Sequence, residues 1–306
     1  MRIESIAQFA SLQEESRRRA ADRRQQIMVC CGTGCLASGS KKVAEAFAEE
    51  VAKRGLDASV GMFVKTTGCH GFCERGPLVA LLPSGILYTK VKPSNVGQII
   101  DKTVLGGEVI PSLTYKNPAD GQRISAYAEI PFYKHQLRVA MRNIGRIDPT
   151  DIRDAIAEGA YSGLAKALGE MTPEAVIEEV AIAGQRGRGG AGFNTARKWR
   201  SCRRAPGDRR FVLCNGDEGD PGAFKDRSIM EGDPHSVLEG MVIGAWAVGA
   251  HEGFIYVRDE YPLAVVHLTI AMEQARSYGL LGDNIMGSGF DFDIRISRGG
   301  GAFVCG

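Results

Sequence analysis

No stretch of this 306-residue sequence is apolar for long enough to cross a bilayer. The longest candidate, residues 241–250, is about half of the ~20 residues a spanning helix needs, and glycines interrupt it. The N-terminus lacks the apolar core of a secretory signal and is instead charged over residues 14–24. Charge of one sign is also missing. Lys and Arg number 38 against 36 Asp and Glu, a net +2 that gives no polyelectrolyte argument for nucleic acid. Aromatic residues make up only 7%, and the basic run 197–210 has Trp199 alone for stacking a base, which argues against a nucleic-acid partner. There is no internal repeat and no low-complexity tract. At 44% hydrophobic the chain is not disordered, and its length suits two domains of ~150 residues. Glycine is what it has in excess: 39 of 306 is nearly twice the usual ~7%. Many of these glycines fall in short loops, which points to ligand sites lined by backbone.

Eight cysteines need an explanation. With no secretory signal the expected compartment is reducing, where thiols are metal ligands or core residues more often than disulfide partners. Cys30, Cys31, Cys35, Cys69 and Cys73 fall in one short region, while Cys202, Cys214 and Cys305 are scattered.

Residues 1–24 read as an N-terminal helix with Ile6, Phe9 and Leu12 on one face and a solvated, arginine-rich end. A short buried strand over 27–29 leads into Cys30-Cys31-Gly32-Thr33-Gly34-Cys35. Residues 41–54 are an amphipathic helix stopped by Gly55, and a strand over 58–64 leads into Thr66-Thr67-Gly68-Cys69-His70-Gly71-Phe72-Cys73. Residues 78–82 and 86–91 flank Pro83-Ser84-Gly85, a hairpin signature, and a helix covers 94–105. This order describes a small α/β domain over 25–107. Polar residues 108–133, with prolines at 111, 118 and 131, read as a linker. A second α/β domain covers 134–306. It opens with helical stretches at 134–145, 149–158, 161–168 and 173–183, the last with Thr172 as N-cap and Pro173 at its first position. Glycine-rich loops then alternate with strands (211–214, 253–257, 292–296) and helices (237–248, 262–278). That alternation is the pattern of a parallel-type sheet with ligand loops at its strand ends.

Four residues separate Cys30 from Cys35 and three separate Cys69 from Cys73, and each pair follows a predicted strand of one small domain. Four converging thiolates need a cation to neutralise them, which a metal or cluster supplies. Gly32, Gly34, Gly68 and Gly71 let the backbone wrap closely and aim N–H groups at sulfur. Zinc and a redox disulfide both favour C-x2-C spacing, which neither pair has; the wider spacings suit a [2Fe–2S] rhombus better. Cys31 is an alternative to Cys30 as first ligand.

Gly187-Arg188-Gly189-Gly190-Ala191-Gly192 satisfies G-x-G-x-x-G, but a helix rather than a strand precedes it, so a standard dinucleotide fold is not indicated. Successive glycine amides still form an anion-binding concavity, with Arg188 and Lys198 adding charge for a phosphate. The alternative is a plain flexible turn. Strand 211–214 opens into Asn215-Gly216-Asp217-Glu218-Gly219-Asp220-Pro221-Gly222, where an amide can meet a heterocycle edge and carboxylates can accept sugar hydroxyls. The alternatives there are an acidic solvated turn or calcium, although the spacing is not that of an EF-hand.

At its cysteines and their glycines, residues 25–107 resemble the thioredoxin-like [2Fe–2S] ferredoxin domain. The glycine loop with Phe193, Lys198-Trp199, the acidic loop, Phe224-Lys225-Asp226-Arg227, Ile255-Tyr256-Val257-Arg258 and Gly299-Gly300-Gly301-Ala302-Phe303-Val304-Cys305-Gly306 resemble the NADH-binding flavoprotein subunit of complex I and its relatives in NAD(P)-linked iron hydrogenases and formate dehydrogenases. The resemblance implies that Cys30, Cys35, Cys69 and Cys73 hold a [2Fe–2S] cluster. It implies that Gly187, Arg188, Gly189, Gly190, Lys198, Asn215, Asp217 and Glu218 hold FMN, with Gly306 at the same site. Phe193 would stack on the nicotinamide side of the flavin and Asp220 would face NAD(H) or NADP(H). The family usually carries Glu at the position of Asp220 and an aromatic at that of Ser201. In the family the chain continues past Gly306 to a pair of glutamates and a [4Fe–4S] cluster, so a truncated product, a partial sequence or a split reading frame is expected.

The implied activity is that of an NAD(P)H-linked flavin and iron–sulfur oxidoreductase subunit with no acid–base catalyst. Its partners would be a small iron–sulfur subunit, a hydrogenase or formate dehydrogenase catalytic subunit, or a complex I arm. The expected location is cytoplasmic, or peripheral on a membrane through a larger complex, without direct insertion. His70, His235 and His251 read as structural. Two rivals are a [2Fe–2S] carrier whose second half is a docking scaffold and a zinc-stabilised nucleotide-binding regulatory module.

Overall fold

Residues 2–301 are described by a computed structural model. Their contacts form two units, one of residues 2–16, 156–230 and 234–301, the other of Arg17–Ala155 with Glu231–Asp233. In chain order the elements up to Ala157 are α1 (Ile6–Ala21), β1 (Gln25–Cys30), α2 (Thr33–Ala37), α3 (Ser40–Lys53), α4 (Leu56–Val60), β2 (Met62–Thr67), β3 (Val79–Leu82), β4 (Ile86–Tyr88), α5 (Val96–Gln98), β5 (Tyr115–Lys116), β6 (Arg123–Ile124), α6 (Pro131–Lys134) and α7 (Ile152–Ala157).

The unit containing Arg17–Ala155 is built around β1. Its side chains alternate across the sheet. Ile27 and Val29 join Val43, Phe47 and Val51 of α3 in one buried cluster, whereas Met28 and Cys30 join Leu78, Leu87, Tyr115 and Tyr133 in another. β1 runs parallel to β2 and antiparallel to β3, and β3 pairs with β4, giving the order β2-β1-β3-β4. The unit is fastened by a buried ion pair. Asp154 of α7 takes Lys65 Nζ of β2 at 2.7 Å and Arg23 Nη1 at 2.9 Å, and also accepts the Asp148 amide at 2.8 Å. Arg23 thus departs from the solvated arginine face expected there, while Arg17, Arg18 and Arg19 are exposed.

Four local expectations change. Residues 56–60 are helical, because Gly55 and Gly61 adopt left-handed φ of 62° and 64° and bracket a single turn before β2. Cys35 sits in the short helix α2 rather than in a loop. Residues 108–133 are not a linker: Ile110, Tyr115 and Ile130 are buried, and Leu113 and Ser125 accept the amides of Thr89 and Leu87. That segment covers the sheet face bearing Met28, which would otherwise be apolar and wet. Residues 135–145 contain no regular helix, since Leu137 and Val139 are 91% and 68% exposed and have nothing to pack against.

The other unit contains α8 (Ser162–Glu170), α9 (Pro173–Ile182), α10 (Thr195–Arg204), β7 (Phe211–Gly216), α11 (Lys225–Gly232), α12 (Pro234–Val248), β8 (Glu252–Arg258), α13 (Pro262–Ser277) and β9 (Asp293–Gly299), with α11 ending beyond it. β7, β8 and β9 form a parallel sheet in that order, with Asn215 beside Tyr256 and Tyr256 beside Ser297. Thr172 Oγ1 accepts the Ala175 amide at 3.2 Å, the expected N-cap of α9. The N-terminal segment contributes Ile3, Phe9 and Leu12 to buried positions, and the Ile3 amide reaches the Tyr278 carbonyl at 2.9 Å.

Candidate functional site

The β1 alternation decides which of the two adjacent cysteines faces the others. Cys30 lies on the same face as Cys35, whereas Cys31 packs against the α3 side near Ser40. The thiols of Cys35, Cys30, Cys69 and Cys73 form a chain of contacts in that order, with Cys69 Sγ and Cys73 Sγ 3.3 Å apart. Close backbone approach makes this possible. A Cβ on Gly76 would lie 2.7 Å from Cys35 Sγ. The Gly71 amide donates to Cys69 Sγ at 3.3 Å, an N–H aimed at sulfur.

As thiols, three of the four are held protonated by their neighbours. Cys30 is pushed up to about 12, chiefly by its hydrogen bond with Cys35. Cys69 is pushed up to about 11 by its bond with Cys30, and Cys73 is also raised, first by its bond with Cys69. A cation among them reverses this order, because the thiolate is the ligand. The donor set of four sulfurs with one backbone amide aimed at them fits an iron–sulfur cluster. Among the described residues no group of three or more His, Cys, Asp or Glu side chains is arranged for a single metal ion.

Nearby His70 is buried between Thr67 Oγ1 at 3.0 Å and Tyr127 Oη at 3.1 Å, and burial pushes it down to about 4. Tyr127 and Tyr133, which carry no sequence motif, stack with ring centroids 4.2 Å apart on this side of the sheet. His235 is buried against Tyr161 Oη at 2.9 Å, and His251 faces the Asp291 carbonyl at 2.7 Å. All three histidines have structural partners.

In the unit with the parallel sheet, Gly187 closes a loop by donating to the Phe193 carbonyl at 2.8 Å, and α10 follows with Asn194 as its N-cap. The amides of Arg188, Gly189, Gly190, Ala191 and Gly192 have no protein acceptor among the described residues. A Cβ at Gly189 or Gly190 would meet nothing within 4 Å, so the loop is open to a ligand. Lys198 Nζ and Arg197 lie 5.7 and 5.8 Å from the ring of Phe193, which is 47% exposed. The free amides, with Lys198, fit the phosphate of a flavin nucleotide.

The acidic loop divides its labour. Asn215 Oδ1 takes the Asp217 amide at 3.0 Å, and Asp217 lies 3.8 Å from Arg258. Glu218 is buried, and its carboxylate accepts the amides of Lys225, Asp226 and Arg227 at 3.0, 3.0 and 3.2 Å. It therefore caps α11 and holds the loop. Tyr261 and Arg258 hydrogen-bond to its carbonyl. Asp220 is exposed. Sequence reasoning missed Arg258 and Tyr261 as site residues, although Arg258 ends the motif Ile255-Tyr256-Val257-Arg258. Gly306 lies outside the described residues.

A four-thiol thioredoxin-like domain and a glycine-loop domain with a parallel sheet define a flavin and iron–sulfur protein. Residues 1–104 match the thioredoxin-like [2Fe–2S] ferredoxin family and residues 180–306 match the Nuo51 FMN-binding domain. The chain thus joins a thioredoxin-like [2Fe–2S] ferredoxin domain to a Nuo51 FMN-binding domain, and its homologues include NADH-quinone oxidoreductase and NAD-reducing hydrogenase subunits. It is 56% identical to the NADP-reducing hydrogenase subunit HndC of Solidesulfovibrio fructosivorans over 56% of this chain and 35% of that one. It is 34% identical to the NAD-reducing hydrogenase HoxS subunit alpha of Cupriavidus necator over 92% of this chain and 45% of that one. With an NADH-quinone oxidoreductase subunit of Aquifex aeolicus it shares 44% identity over 59% of this chain and 42% of that one. The chain thus spans less than half the length of each of these relatives.

Proposed function

We propose that this chain is a module of an NAD(P)H-linked oxidoreductase that passes electrons from a nicotinamide coenzyme through FMN to a [2Fe–2S] cluster. The observation that carries the reading is the presence, in one chain, of four thiols linked in a row of contacts and a loop of five amides with no protein acceptor among the described residues. FMN supplies the step between two-electron hydride chemistry and one-electron clusters. Gly187, Arg188, Gly189, Gly190 and Lys198 bind its phosphate, and Asn215 and Asp217 address the rest of the nucleotide. Glu218 keeps the acidic loop in place through α11. Phe193 offers its face to the nicotinamide, Asp220 faces the coenzyme, and Gly306 belongs to the same site. Cys30, Cys35, Cys69 and Cys73 hold the cluster, and Cys31 does not. The iron–sulfur domain is centred on 25–107 and the flavin domain on 134–306.

The relatives include both an NAD-reducing and an NADP-reducing hydrogenase. The module accordingly works beside other redox subunits, in the cytoplasm or at a membrane surface through a larger complex. No helix among the described residues is long and apolar enough to cross a membrane. The test is anaerobic addition of NADH or NADPH to the iron-reconstituted, FMN-loaded chain. Loss of both flavin and cluster absorbance supports the reading. A reddish protein that takes up no FMN supports the carrier alternative, and a colourless zinc protein supports the regulatory one.

A further inference from the structure

Helix α10 carries arginines at 197, 200 and 204 and a serine at 201, the i, i+3, i+4 and i+7 positions of one helix face. Together with Ala205 these side chains line a cavity of about 490 Å³. Arg200 lends one edge to Glu178 at 3.0 Å, and the neighbouring Arg203 pairs with Glu174. Arg197 and Arg204 have no carboxylate partner among the described residues and are exposed. Three guanidinium groups around one hollow, with a single glutamate to offset them, form a site for an anion.

The shape of the hollow narrows the choice of anion. The hollow lies open along one helix face and is longer than a free phosphate, so a nucleoside can lie along it beside its phosphate. The short side chain of Ser201 keeps that space open. One end of the stripe is anchored beside Phe193, where Arg197 lies 5.8 Å from the ring. The other end, Arg204, is seven residues further on, about 10 Å along the helix axis. A phosphate monoester carries close to two negative charges and three acceptor oxygens, which suits several guanidinium forks. The internal diphosphate of a dinucleotide carries one charge per phosphorus.

We infer that this cavity takes the 2′-phosphate of an adenine dinucleotide, so that the chain prefers NADP(H) to NAD(H). The inference rests on the flavin reading, which brings a nicotinamide coenzyme to Phe193. Arginine is also the side chain by which dinucleotide sites in general accommodate a 2′-phosphate.

The test is calorimetric titration of the full chain with 2′,5′-ADP, AMP and inorganic phosphate, with bound FMN measured in parallel. The expected result is that 2′,5′-ADP binds about tenfold to a hundredfold more tightly than AMP, as befits charge-assisted contacts. Arg197→Ala and Arg204→Ala should each weaken 2′,5′-ADP by about tenfold or more and weaken AMP, which has a single phosphate, by less. Equal affinity for 2′,5′-ADP and AMP overturns the inference, as does inorganic phosphate competing as strongly as 2′,5′-ADP. FMN binding with no preference for 2′,5′-ADP overturns this inference alone. The preference without FMN supports this site and overturns the flavin reading.

Discussion

Gly32 and Cys69 approach so closely that a Cβ on Gly32 would lie 2.6 Å from Cys69 Cβ and 2.9 Å from its Cα. The obstacle is partly backbone, so no rotamer change can relieve it. This contact joins the two cysteine-bearing segments. We expect Gly32→Ala to push them apart, destabilise the unit by about 1–3 kcal/mol and reduce iron retained after reconstitution to less than half. Iron analysis and a denaturant titration check this. Full iron content with unchanged stability contradicts it.

The position of Cys31 on the α3 side makes a second, sharper expectation. Cys31→Ala should leave the visible spectrum and iron content of the reconstituted chain unchanged. Replacing Cys30, Cys35, Cys69 or Cys73 by Ser should bleach or shift the spectrum, because oxygen replaces a soft thiolate ligand. A spectrum sensitive to Cys31 and indifferent to Cys30 reverses the assignment.

Asp154 is the shared partner of Lys65 and Arg23, and all three side chains are nearly buried. Asp154→Ala leaves two cations without their counter-ion and should cost about 3–5 kcal/mol. Replacing all three by apolar residues should cost much less, since desolvation of the charges is removed along with their attraction. Urea unfolding of the two variants separates these outcomes.

Burial pushes His235 down to about 4 from an ordinary value of 6.5. The folded unit therefore keeps it neutral while the unfolded chain takes up a proton. Stability present above pH 6.5 is lost as the pH falls toward 4, by about 3 kcal/mol at the lower limit. His235→Gln can keep a hydrogen bond with Tyr161 and cannot titrate, so this variant should lose less stability than the parent between pH 6.5 and 4. Acid unfolding followed by circular dichroism checks this, and parallel acid dependence in both chains contradicts the assignment.

Periodicity and turn chemistry made most of this fold readable. The cap of α9 at Thr172, the hairpin at Pro83-Ser84-Gly85 and three strands of the parallel sheet are local signals, and each is observed. The failures were tertiary. Residues 108–133 look like a linker because they are polar and rich in proline, yet their few apolar side chains cover one face of a sheet. Residues 134–145 carry helical spacing, but Leu137 and Val139 are left exposed and the helix stops at Lys134. In the site, the cysteine spacing announced the cage, and the strand alternation that separates Cys30 from Cys31 was implicit in the sequence. The capping role of Glu218 was not readable, since it depends on three amides seven to nine residues further along.

The most direct measurement of the central claim is cofactor stoichiometry on the anaerobically reconstituted full chain, by iron, sulfide and flavin analysis with electron paramagnetic resonance of the reduced protein. We expect two irons and two sulfides with a [2Fe–2S] signal, as the name of the cluster requires, and one FMN released on denaturation. A chain that folds but holds neither iron nor flavin contradicts it.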